Sequence, residues 1–162
     1  MPCVIVNSSP LISLGKIGQL NILNHLYGDI VIPNAVWAEI MTDKESKEAI
    51  ELQSSLSWIR IVDIKNVQAK KLFKSQLHDG EVEVIILGKE LGADILIIDD
   101  KLARNHAKYL GFNVTDTLGL LVAAKTKGIV SEIKPLIDKM VEAGIYVGED
   151  LIKHCLKKAD EI

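Results

Sequence analysis

Five short apolar runs alternate with longer stretches whose apolar residues recur at spacings of three and four, and this alternation constrains the chain more than any other feature. The runs Val4–Val6, Ile30–Ile32, Ile59–Val62, Ile95–Ile98 and Asn113–Thr115 read as strands. Ala35–Met41, Ala49–Leu56, Ala69–Leu77, Val82–Leu91 and Leu102–Leu110 read as the helices between them. Strands joined by helices must pair in parallel, because a parallel connection needs a crossover, and right-handed crossovers cover the faces of the sheet. Val4–Val6, Ile30–Ile32 and Ile95–Ile98 are continuously apolar, as expected of strands buried on both faces. The expected fold is therefore α/β: a three-layer α/β/α sandwich around a mainly parallel sheet of four or five strands.

Turn residues agree with this reading. Pro10 and Pro33 fall where a first helical residue is expected, a position at which the missing N–H costs nothing, and Ser9 precedes Pro10 as a cap. Gly92 and Gly111 follow Leu91 and Leu110 and are placed to end helices. After Thr117 the pattern becomes wholly helical, over Leu118–Lys127, Lys134–Ala143 and Asp150–Ala159. The chain is accordingly divided into a domain over 1–130 and a helical C-terminal extension over 131–162 packed on it. In the extension, Leu151, Ile152, Cys155, Leu156 and Ala159 form one apolar stripe, suited to the domain's own surface, to a homodimer contact or to a partner protein.

Bulk properties exclude more than they assign. A net charge of -3 gives no global signal for nucleic-acid binding, so such binding must rest on a local basic patch. Cys3 and Cys155 fit neither a disulfide framework nor a zinc pattern. No basic-then-apolar leader precedes Val4 and no apolar run approaches ~18 residues, so the expectation is a cytoplasmic protein without a membrane span. No GxGxxG or GxxxxGK[ST] follows the first strand, which counts against nucleotide-cofactor enzymes.

In an open parallel sheet, ligands bind beyond the carboxyl ends of the strands. Four polar residues fall there: Asn7 after the first strand, Glu39 after Pro33, Glu81 in "HDGEVEVII" and Asp99 in "ILIIDD". Taken singly they have plain roles, as a turn residue, a solvated helix charge, a partner for a helix dipole and a cap. Asp100 is the better cap of the Asp pair. Only convergence makes them distinctive, because several oxygen donors at one end of a sheet suit Mg²⁺ or Mn²⁺. His25, His78, His106 and His154 are scattered and make no competing cluster. Lys101, Arg104 and Lys108 lie within about 60° on one helix face and form a basic stripe able to hold phosphates, with Leu102, Ala103, Ala107 and Leu110 on the side that packs. Trp37, beside Glu39, suits either base stacking or the core.

Four stretches together resemble the PIN-domain superfamily: "VNSSPLISLGKIGQL", "IPNAVWAEI", "LHDGEVEVIILGKELGADILIIDDKLARNHAKYLGF" and "TDTLGLLVAAKTKGIV". The closest likeness is to the branch with an N-terminal [DN]-[ST]-[ST]-P-L-I signature. The resemblance implies a metal-dependent nuclease fold, often a ribonuclease and frequently the toxin of a VapBC-type toxin–antitoxin pair. It implies an RNA substrate, a Mg²⁺ or Mn²⁺ cofactor and an antitoxin as partner. Carried over by position, Asn7, Glu39, Glu81 and Asp99 become the catalytic and metal-binding residues, with Ser9 and Asp100 in support and Lys101, Arg104 and Lys108 on the nucleic acid. Asn7 stands where an aspartate is usual. It keeps one oxygen donor and loses a charge, so weaker metal binding or a silenced enzyme is expected. Glu81 differs more mildly, since its arm is one methylene longer than aspartate's. The alternative is a degenerate module that binds nucleic acid or protein without cutting.

Overall fold

The computed structural model describes residues 2–73 and 76–162. Five strands, β1 (Val4–Val6), β2 (Ile30–Pro33), β3 (Ile59–Val62), β4 (Ile95–Ile97) and β5 (Val114–Thr115), form one sheet of order β3-β2-β1-β4-β5. All pairs are parallel, with Ile5 opposite Val31 on one side of β1 and Leu96 on the other. The order reverses at β1, so the crevice between the carboxyl ends of β1 and β4 is the switch point at which such sheets bind ligands.

Among the described residues ten α-helices surround the sheet. Helices α1 (Ser8–Lys16), α2 (Asn21–Tyr27), α3 (Asn34–Ile40) and α4 (Lys47–Gln53) link the first three strands. Helices α5 (Val67–Phe73) and α6 (Asp79–Leu91) connect β3 to β4, α7 (Lys101–Tyr109) connects β4 to β5, and α8 (Thr117–Thr126), α9 (Lys134–Glu142) and α10 (Glu149–Lys158) follow. Chain order reverses across β1, so right-handed crossovers place α1, α2 and α4 on one face and α6 and α7 on the other. The result is a three-layer sandwich. Helix α6 lies over β1, β2 and β4 and is buried from Gly80 to Gly88, which explains a sequence apolar on every side.

Several local expectations shift. Helix α1 begins at Ser8 with Asn7 as its N-cap, so Pro10 is its third residue rather than its first and Ser9 is not the cap. Pro33 closes β2 and caps α3 instead of opening the helix. The first turn of a helix has no intrahelical use for its N–H groups, so Pro10 still costs nothing there. β3 is an edge strand with Ile61 37% exposed, unlike the fully buried β1 and β2. Leu102 and Leu110 are about half exposed, so α7 packs through Ala103 and Ala107 alone. The helix expected over Ala69–Leu77 is observed as Val67–Phe73, and Lys74 and Ser75 lie outside the described residues.

The last two helices join the same apolar core as the sheet through Leu136, Ile137, Met140, Cys155, Leu156 and Ala159. One residue fastens them. Helix α9 has Ile133 at its N-cap with no capping side chain of its own. Glu161 takes that role from far along the chain, accepting the N–H groups of Ile133 at 2.8 Å and Lys134 at 2.9 Å and the Nζ of Lys125 in α8 at 3.1 Å. Its own burial opposes ionisation, but these donors together hold its carboxyl below the usual carboxylate range. No helix among the described residues is long and apolar enough to cross a membrane.

Candidate active site

Asn7 leaves the tip of β1 with its backbone N–H on the carbonyl of Ile97 at 3.0 Å, which fixes it at the switch point. An N-cap asparagine ordinarily accepts a hydrogen bond from the N–H of the second or third helical residue. Here the third residue is Pro10, which has no N–H, and the Asn7 side chain makes no cap bond. Its Oδ1 is buried without any partner among the described residues, in a residue only 3% exposed. A buried carbonyl oxygen left unpaired costs about 1–3 kcal/mol, so this oxygen calls for a hydrogen-bond donor or a cation.

The oxygen faces Glu39 across the first turn of α6. A Cβ added to Gly80 would lie 3.4 Å from Asn7 Oδ1 and 3.5 Å from Glu39 Oε1. The absent side chain of Gly80 therefore leaves both oxygens open on one hollow. Glu81 is the next residue of the turn. Its Oε1 accepts the His78 N–H at 2.9 Å, and the side chain is nearly buried. Burial, with the charges of Asp100 and Glu39 adding to it, pushes its carboxyl above the ordinary carboxylate value. Asn7, Glu39 and Glu81 line one open cleft of about 880 Å³.

Asp99 points elsewhere. Both of its oxygens are engaged by Thr117 at the start of α8, Oδ1 by the N–H and Oδ2 by the hydroxyl, each at 2.8 Å. Burial raises its pKa despite those bonds. It lines a neighbouring cleft of about 480 Å³, and Ser9 lines both clefts. Asp100 caps α7 by accepting the Ala103 N–H at 2.9 Å, yet it is the acid of this pair whose charge reaches Glu81. The basic stripe divides too: Lys101 and Lys108 are exposed, whereas Arg104 donates to the Asp99 carbonyl and lies 3.8 Å from the carboxylate of Asp116. Trp37 is half-buried against the core.

Three residues of this region escape a reading of the sequence. Glu83, 8% exposed, accepts the Ala35 N–H at 3.0 Å and the Nζ of Lys70 at 2.7 Å, so it ties α3, which carries Glu39, to α5 and α6. Lys70 thereby places an ammonium in the acidic cleft, and its bond to Glu83 raises its pKa and keeps it charged. The signal was an acid inside the apolar run "EVEVII", which demands a partner. Asp116 caps α8 through the Gly119 N–H at 2.8 Å and faces Arg104; a cap after a strand was its only mark.

Among the described residues no three His, Cys, Asp or Glu side chains form a group able to hold a metal ion by themselves. The donor set at the cleft is two carboxylates and one amide oxygen. That set fits a hard divalent cation of the Mg²⁺ kind, which takes one or two carboxylates and keeps several waters. The fold is an all-parallel α/β sandwich with Asn7, Glu39 and Glu81 on one cleft at the carboxyl end of its sheet, and the comparison with protein families says which family it belongs to. Residues 3–161 match the family model described as PIN domain, and the chain belongs to that family, whose fold is a nuclease fold. No curated protein matches the chain.

Proposed function

We propose that this PIN domain is a ribonuclease that hydrolyses RNA phosphodiester bonds with Mg²⁺ or Mn²⁺ held by Glu39, Glu81 and Asn7 Oδ1. The observation that carries this reading is the unpartnered Oδ1 of Asn7, buried and open to the same hollow as Glu39 Oε1. When bound, the ion supplies a water of lowered pKa and an electrophile for the phosphate oxygens. Glu81, half used by the His78 N–H, has one carboxylate oxygen left for the hollow, and a cation there offsets the burial that otherwise opposes its charge. Asn7, held by its backbone at β4, orients without adding charge. Lys70 brings a positive charge toward the phosphate, kept in place by Glu83.

The test is cleavage of a labelled RNA pool in Mn²⁺ by the protein, by Asn7→Asp and by Glu39→Gln. Cleavage that stops in EDTA and in Glu39→Gln supports the proposal, and a faster Asn7→Asp assigns the missing charge as the rate-limiting defect. A second reading, a module that binds without cutting, is favoured by the lack, among the described residues, of a three-carboxylate group. RNA left whole by both the protein and Asn7→Asp refutes the nuclease and selects that module.

A further inference from the structure

The smaller cleft, beyond Ser9, carries chemistry that the proposed cutting site does not use. Its polar lining is the hydroxyl-bearing Ser13 and Thr117, the guanidinium of Arg104 and the carboxylates of Asp116 and Asp99, the latter already bonded to Thr117. Its outer wall is apolar and comes from the loop between α9 and α10 together with Leu151. That loop alternates. Ile145 and Val147 are half-buried and packed against the core, and the Ile145 N–H bonds the Met140 carbonyl at 3.0 Å. Tyr146 between them turns outward and is 92% exposed, on the rim of the cleft. An aromatic ring held out by two anchored neighbours contributes nothing to the core, and Ser9 lines both the cleft below it and the acidic one.

A volume of about 480 Å³ lies in the range of small-ligand sites. Its make-up, an aromatic edge and apolar residues beside a guanidinium and hydroxyls, matches one nucleotide: a flat base to stack and an anionic phosphate to bind. Arg104 is already aimed by the Asp99 carbonyl and Asp116, so its fork is ordered before any ligand arrives. We propose that this cleft is a nucleotide subsite, in which an unpaired base of single-stranded RNA stacks on Tyr146 while Arg104 holds the adjoining phosphate. The inference rests on the ribonuclease reading and adds to it that the strand is single-stranded and enters past α10. Ser9, shared by the two clefts, is where the strand passes from one to the other.

The experiment is fluorescence anisotropy of a short labelled mixed-sequence single-stranded RNA in Ca²⁺, with the intact length of the strand checked on a gel. It compares the protein, Tyr146→Ala, Tyr146→Phe and Arg104→Gln, and repeats the series with an abasic ribose–phosphate strand. Loss of a stacked base weakens binding by about tenfold, so Tyr146→Ala is expected to bind about tenfold more weakly and Tyr146→Phe like the parent. On the abasic strand Tyr146→Ala and the parent should bind alike, because no base is left to stack. Tyr146 is exposed, so its melting temperature should not move. RNA binding that is equal in the parent and Tyr146→Ala overturns the subsite and leaves the ribonuclease proposal standing. A parent that binds no RNA overturns both, and a peptide rather than a nucleotide then becomes the occupant to seek.

Discussion

Restoring a charge at position 7 should make the protein less stable without metal and more responsive to it. Asn7 is 3% exposed and its Oδ1 has no partner. In Asn7→Asp the carboxylate would be buried beside Glu39 across Gly80, with no cation to offset it. The penalty for an unpaired buried charge is of the order of 3–5 kcal/mol, and relaxation toward the open cleft reduces it to about 2–4 kcal/mol at pH 8. For a domain of this size that is a fall in melting temperature of roughly 5–12 °C. The pKa of the new carboxyl is raised by burial, so the deficit should be small at low pH and grow as pH rises through that raised value. Mn²⁺ at a hundredfold excess over its Kd returns about 2.7 kcal/mol, most of what was lost. Asn7→Leu, which removes the orphan oxygen at similar volume, should match or exceed the parent in EDTA and lose the response to Mn²⁺. Melts in EDTA and in a Mn²⁺ series at two pH values measure all of this. An Asn7→Asp protein as stable as the parent in EDTA at pH 8, and equally unmoved by Mn²⁺, would refute the assignment of the hollow as a cation site.

Three further outcomes follow from the same geometry. Gly80→Ala should fold, since Gly to Ala in a helix is worth about 0.5–1 kcal/mol against a Val36 methyl 3.3 Å away that must yield slightly; yet its methyl covers Asn7 Oδ1 and Glu39 Oε1, so Mn²⁺ titration should weaken by about tenfold or more. In metal-free buffer the raised carboxyl of Glu81 contributes stability below its ordinary value of 4.5 that is lost as pH rises through its folded value, so Glu81→Gln should flatten that fall in a pH series of denaturant melts. Glu161 works with the opposite sign: its lowered carboxyl adds stability above 4.5 that disappears as pH drops through its folded value, and Glu161→Ala should cost about 2–3 kcal/mol at pH 7 by urea unfolding and remove that acid-side loss.

The centre of the sheet was legible because buried parallel strands such as β1 (Val4–Val6) write themselves as unbroken apolar runs; β3 (Ile59–Val62), an edge strand with Arg60 inside it, also appears with the expected bounds. Helix α2 (Asn21–Tyr27) was not anticipated: it is short, buries only Ile22 and Leu23, and has no capping side chain. Pro10 misled by two residues, since a proline is equally free of cost anywhere among the first helical residues. At the site, Asn7 and Glu81 could be ranked by their place at a strand end and in a first turn, whereas Glu39, on the second turn of α3, stood out only through the family resemblance. The direction of Asp99 could not, because Thr117 claims it from a helix that no spacing rule relates to β4. The burial of Glu83 and the reach of Lys70 depend on how α5 lies against α6, which a one-dimensional pattern does not carry.

The strand order has a consequence for the history of each molecule. β1 is made first yet ends up in the middle, and its second edge is filled only when Ile95–Ile97 arrive. Until then a nascent chain holding β1, β2 and β3 offers an open row of amides and carbonyls along Val4–Val6, the most completely apolar edge in the fold. Asn7 is anchored by the Ile97 carbonyl, so the donor hollow has no fixed shape before that pairing. The molecule thus fixes the shape of the hollow at Asn7 and seals its sticky edge in one event, and a pause in translation before β4 is where it is most exposed to aggregation.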